Sequence, residues 1–268
     1  MVRKLIKYDF ASYMRLLLPV QLILLGIAAL NRIIQLFEDG STVYNIVFAS
    51  SVVLYVISII VALVLTMVVG IVRFYQGMYT GEGYLSHTLP VTPTQHIFSK
   101  LIVSVLYYLG TFLSIILSLI VITLGEMNIE IFKSIGFLFG RFMNYTHGHM
   151  ILFIIELFFL ILSGIICGML CFYFCISVGQ LAQKRKILLA FGVYFGLYII
   201  GQIIGTILII IVSVLNYETI DAIARWISQH GIAFFHIMFC GGIVLELITS
   251  LIYFLITRFI MSKKLNLA

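Results

Sequence analysis

Charge is what this sequence has least of. Of its 268 residues only 10% are Asp, Glu, Lys or Arg, and 63% are hydrophobic. A soluble domain is nearer a quarter charged. Such a chain cannot clothe a water-facing surface, which excludes an ordinary soluble enzyme or binding module. Proline is scarce as well, with only Pro19, Pro90 and Pro93, so long helices can run unbroken. There is no G-x-x-x-x-G-K-[ST] phosphate loop, no H-E-x-x-H and no G-x-S-x-G. Those absences exclude ATP binding by that loop, that form of zinc protease and a serine nucleophile elbow. No small-residue cleavage site follows the first apolar run, which is therefore read as a retained span and not a signal peptide. The net charge of +6 would suggest nucleic acid in a soluble protein. Here the basic residues flank membrane spans, and no nucleic-acid partner is expected.

Cysteine and histidine offer little chemistry. Cys167, Cys171 and Cys175 recur every four residues on one helical face, with Cys240 apart from them. They lack the polar surroundings that a metal site needs and are read as packing residues. His87, His96, His147, His149, His230 and His236 fall at loops or span ends. His147-x-His149 alone is too sparse to assign a metal. No metal and no cofactor is expected on this chain.

What is present is apolar sequence in long runs. A span needs roughly 20 apolar residues, and six fit: about 16–37, 44–72, 97–124, 150–178, 187–215 and 233–260. The chain is therefore expected to be an all-α integral membrane protein, one transmembrane domain over 1–268 in contact with the lipid bilayer throughout. Residues 1–15 alternate apolar and basic positions near helical spacing. They predict an amphipathic interfacial helix on an anionic leaflet, with Pro19 tolerated near the start of the first span. Short outer helices are predicted before the fourth span, from Ile131, Phe132, Ile135, Leu138, Phe139 and Phe142. Another precedes the sixth, from Ile220, Ile223 and Ile227, with Trp226 suited to the interface.

Charge orients these spans. With six spans both termini share a side. That side holds Arg3, Lys4, Lys7, Arg15, Arg73, Lys100, Lys184, Arg185, Lys186, Arg258, Lys263 and Lys264. The opposite side holds Arg32, Lys133, Arg141 and Arg225. Twelve against four places the termini in the cytoplasm.

Two acids, Glu156 and Glu246, lie within the apolar runs, and Gln21 and Gln202 are further polar groups there. A carboxylate at depth costs at least about 2.5 kcal/mol on insertion scales. Such groups line a translocation path or relay protons, or they bond neighbouring helices; the pattern alone leaves both open. Gly164-x-x-x-Gly168, Gly192-x-x-x-Gly196 and Gly201-x-x-x-Gly205 would let helices approach closely, within one chain or between two.

The longest polar interval on the inner side is Arg73–Lys100, RFYQGMYTGEGYLSHTLPVTPTQHIFSK. Thr92-Pro93-Thr94-Gln95 reads as a helix start, with Thr92 the N-cap, Pro93 at the first position and Gln95 closing a capping box. Upstream, Gly81 and Gly83 bracket Glu82, and Gly83–Thr88 is long enough for a short helix that Pro90 stops. Helix connections usually need about 2 to 8 residues, so this interval is longer than a connector requires.

The run Gly81-Glu82-Gly83-Tyr84-Leu85, then Thr88-Leu89-Pro90-Val91-Thr92-Pro93-Thr94-Gln95, then Lys100 opening a span, resembles the first cytoplasmic loop of type-2 ABC exporter permeases. The amphipathic start, six spans and outer helix extend the likeness loosely over the chain. Many members of that family carry a basic residue where this chain has Pro93. The resemblance implies a bacterial plasma-membrane subunit, not itself an enzyme. It would pair with an ABC ATP-binding subunit that carries ATP and Mg, and with a second permease copy, identical or paralogous. It further implies a coupling helix in the first inner loop, with Glu82, Gly83, Tyr84, Leu85, Leu89 and Pro90 as the ATPase-coupling surface. Antimicrobial or amphipathic peptides or drugs would be the substrates, passing a path to which Gln21, Gln202, Glu246 and Glu156 are assigned. Two other readings stand beside it: a proton-coupled secondary transporter using Glu156 and Glu246, and an intramembrane enzyme.

Overall fold

The computed structural model describes residues 2–37, 41–80, 91–123, 133–134, 136–141, 143, 148–182, 184–214 and 217–263. Regular structure among them is helical. Six helices are long and apolar enough to cross a membrane, in the order and number expected. They are α1 (Val2–Gln35), α2 (Thr42–Tyr79), α3 (Pro93–Ile122), α4 (Met150–Gly179), α5 (Lys186–Val214) and α7 (Gly231–Lys263), with the shorter α6 (Tyr217–Gln229) before the last. Positions 133–134, 136–141 and 143 are helical too, where the first outer helix is expected. The six proposed coupling residues, Glu82, Gly83, Tyr84, Leu85, Leu89 and Pro90, lie outside the described residues.

The first boundary differs from the sequence reading. The interfacial helix over 1–15 is not set apart from the first span: Val2–Gln35 is a single helix. Nothing between Asp9 and Leu18 breaks a helix. Asp9, Tyr13 and Leu17, four residues apart, carry one packed face from the basic segment into the span, with Tyr13 and Leu17 fully buried. Pro19 consequently sits in the helix interior, where it removes the bond to the Arg15 carbonyl. Neighbouring helices make such breaks tolerable in membranes.

The chain gathers into two compact units, residues 1–142 and 143–268. In the first, α1 packs on both α2 and α3, and α2 packs on α3. Tyr13, Leu17, Val103 and Tyr107 form one buried cluster, and Leu24, Ala28, Tyr55 and Ala62 another. In the second, α4 packs on both α5 and α7, and α6 on α7. Each unit pairs its first and third spans in parallel. Side-chain bonds between α1 and α3 run at offsets of 90 to 97 residues. Those between α4 and α7 run at 80 to 84.

Local chemistry fixes the ends. Ser41 caps α2, its hydroxyl accepting from Tyr44 N–H at 3.1 Å. α3 begins at Pro93 after an extended Thr92, and Gln95 Oε1 accepts from Thr92 N–H at 3.2 Å, the start the sequence predicts. Between α4 and α5 the turn is tight: Arg185 adopts a left-handed φ of 58°.

Candidate functional site

The N-terminal ends of α1 and α3 and the C-terminal end of α2 meet at a charged node. Lys100 Nζ lies 3.2 Å from Asp9 Oδ1, with side chains only 8% and 22% exposed. Ser99 Oγ donates to Asp9 Oδ2 at 2.7 Å, so both carboxylate oxygens are engaged. Gly77 of α2 completes the enclosure. A methyl group there would overlap Lys100 Nζ and approach its Cε to 2.9 Å. An acid on the buried face of an otherwise basic segment is the sequence signal for this pair, legible once α1 is read as continuous.

Above the node runs a ladder of hydrogen bonds joining the three helices. Tyr107 Oη donates to Phe10 O at 2.9 Å. Tyr13 Oη and Ser104 Oγ are 3.1 Å apart. Thr66 and Thr111 hydroxyls meet at 2.9 Å, and Gln21 Nε2 donates to Thr111 Oγ1 at 3.4 Å. Farther out, Tyr55 and Ser118 hydroxyls lie 2.8 Å apart, and Asn31 exchanges two bonds with Ser51. Gln21 is thus engaged between α1 and α3. Interhelical bonds in membranes average about 0.6 kcal/mol, so the ladder holds by number and not by any single rung.

In the second unit the two acids share the α4–α7 seam. His236 Nδ1 lies 2.7 and 2.8 Å from the Glu156 carboxylate oxygens, so Nδ1–H donates and the carboxylate accepts. The Glu156 side chain is only 11% exposed. Phe153 stacks on the His236 ring at 4.3 Å, and the His149 ring stands edge-on at 5.7 Å. Cys240 Sγ donates to Glu156 Oε1 at 3.8 Å. Nearer the C-terminal end of α4, Ser163 Oγ hydrogen-bonds Glu246 Oε2 and also lies 3.1 Å from Leu160 O. One hydroxyl proton serves two acceptors, which therefore compete for it. Gly164 makes room: a Cβ there would sit 3.4 Å from Glu246 Oε1. One turn on, Cys167 and Thr249 are 3.2 Å apart. His236 and Ser163 are partners that the sequence reading does not find.

Gln202 stands apart. It is exposed on α5, and among the described residues its Nε2 donates only to Tyr198 Oη, at 3.2 Å. With Ile199, Ile203, Thr206 and Ile207 it lines an open recess of about 290 Å³. Methyl groups at Gly168, Gly192, Gly196, Gly201 and Gly205 would meet nothing within 4 Å, so among the described residues these glycines serve no close helix approach. No group of three or more His, Cys, Asp and Glu side chains among the described residues could hold a metal ion. No family model, no curated protein and no solved structure matches this chain.

Proposed function

We propose that this protein is the membrane-spanning permease subunit of an ATP-driven ABC exporter. It works with a separate ATP-binding subunit and a second permease copy in a bacterial plasma membrane. Both termini are cytoplasmic by the charge count, and the substrate is an amphipathic or antimicrobial peptide or drug. The observation that carries this reading is the length of the two helices flanking residues 81–90. α2 has 38 residues and α3 has 30, or about 57 and 45 Å at 1.5 Å per residue. The hydrocarbon core is about 30 Å thick. α2 runs seven residues beyond Val72 to Tyr79, and α3 begins seven before Lys100. Rigid extensions of this kind can carry a push at residues 81–90 into the spans, as the resemblance of Gly81–Gln95 to the exporter loop implies. Glu82, Gly83, Tyr84, Leu85, Leu89 and Pro90 are the proposed contact surface.

Tagged full-length protein is expected to bring down an ATP-binding subunit, and Glu82→Ala to abolish ATP-dependent transport while leaving the spans folded. Purification without such a subunit, together with unimpaired transport by the variant, refutes the reading. One observation favours a second: Glu156 and Glu246 lie on one seam, with His236 and Ser163, a frame suited to proton-coupled transport. Transport abolished by a protonophore but insensitive to ATP depletion would select that alternative.

A further inference from the structure

The node of Asp9, Ser99, Lys100 and Gly77 is built more closely than a connection between helices requires. Its ammonium is enclosed, with the Lys100 side chain 8% exposed. Both Asp9 oxygens are engaged by residues adjacent in α3. The space that the ammonium occupies exists because position 77 lacks a Cβ. Even partly buried, a charge pair is a poor source of stability compared with apolar packing, but removing one partner strands the other. It therefore fastens specific positions and tolerates little sliding. The three positions are also particular. Gly77 lies one turn before residues 81–90 and Ser99–Lys100 in the second turn of the helix that follows them, while Asp9 belongs to the basic start of α1.

We propose that Asp9, Lys100 and Gly77 form a charge latch. It fastens the inner end of α1 to both helices that flank residues 81–90, so that the three inner ends move as one piece. In the exporter reading, on which this role rests, the latch positions α1 to share any displacement delivered at 81–90. Asp9 and Lys100 are positioning residues: they touch neither nucleotide nor substrate. The N-terminal segment is then part of the transmission and not a passive surface anchor.

The test uses the full-length permease with its ATP-binding subunit in lipid nanodiscs, with Val43→Cys as a reporter on the outer end of α2. The probes are ATP plus vanadate and a membrane-impermeant maleimide. In the parent complex, vanadate trapping changes the labelling rate of the reporter thiol. Asp9→Asn, Lys100→Met and Gly77→Ala are each expected to retain ATP hydrolysis yet shrink that change at least about fivefold, the low end of typical coupling between sites. Gly77→Ala acts by displacing the Lys100 ammonium without altering any charge. The reversed pair Asp9→Lys with Lys100→Asp restores the response, which a merely structural loss would not allow. Single variants that respond like the parent overturn the latch. A parent complex with ATPase activity but no response to trapping, or with no ATPase partner, instead overturns the exporter reading and the transmission role with it. Reductive methylation decides the fastening by itself, even if variants fail to fold: Lys100 should resist while exposed Lys7 reacts. A Lys100 that reacts as fast as Lys7 overturns the latch.

Discussion

Gly179→Ala measures how tightly the second unit closes at the turn between α4 and α5. Gly179 ends α4, and a Cβ there would lie 2.7 Å from Lys186 O, 2.8 Å from Ala190 Cβ and 3.0 Å from Ala190 N. Carbon atoms ordinarily settle at about 3.5 to 4.0 Å from their neighbours, so the methyl overlaps three atoms. Two are backbone and cannot swing aside. Overpacking of this kind costs about 1 to 3 kcal/mol, and the rigid neighbours place the cost in the upper part of that range. Replacing glycine within a helix returns up to about 1 kcal/mol, leaving a net loss of about 1 to 2 kcal/mol. At about 2 to 4 °C per kcal/mol for a chain of this order, the melting point falls by roughly 2 to 8 °C. A thiol-reactive fluorophore reads this directly, because Cys175 is buried in α4 one turn before Gly179. Gly192→Ala and Gly196→Ala are the controls. Their methyls meet nothing within 4 Å, so they should melt at or slightly above the parent. If Gly179→Ala melts with these controls, the close approach of α4 to the start of α5 is wrong.

Further expectations concern the polar side chains. Glu156→Gln and His236→Gln should be non-additive in a double-mutant cycle of detergent unfolding, with a coupling of about 0.5 to 3 kcal/mol; additive losses would mean the side chains do not meet. Tyr13→Phe removes the bond to Ser104 and should cost about 0.6 to 1.7 kcal/mol in the same assay, whereas no loss at all would remove that rung from the ladder. Gln21→Leu should destabilise the isolated chain, because Gln21 bonds α1 to α3. Gln202→Leu should not, because its one partner is on its own helix; equal losses would argue against that distinction. Arg185→Gly should stabilise by up to about 1 to 2 kcal/mol, the usual cost of a left-handed backbone in a residue with a Cβ, and a lower melting point would contradict the turn geometry.

The spans are legible in the sequence because length and hydropathy suffice to find them. The start of α3 is legible for a different reason: Thr92, Pro93 and Gln95 are local capping chemistry that needs no knowledge of the rest of the fold. Partners are not legible. In water a helix advertises its packed face by apolar periodicity. In α4 and α7 both faces are apolar, so nothing in the spacing of Glu246 announces Ser163, or in that of Glu156 announces His236. The parallel offsets of about 90 and 80 residues appear only once helices are paired. The continuity of α1 is hidden because basic residues suggest a boundary, while Asp9, Tyr13 and Leu17 already trace one uninterrupted face.

The parallel pairing of first and third spans also sets an order on biogenesis. α1 is made first, carrying Asp9, Gln21 and Asn31, yet the groups that engage Asp9 and Gln21 sit on α3, some 90 residues later. Only Asn31 meets its partner sooner, through Ser51 on α2. α4 likewise carries Glu156 through the synthesis of α5 and α6 before His236 arrives. During each interval a leading helix holds polar groups whose final partners do not yet exist. It must keep them in the insertion machinery, in the headgroup layer or against a temporary neighbour until the third helix is delivered. Each three-span unit is therefore a unit of assembly as well as of packing, closed by the arrival of its last member.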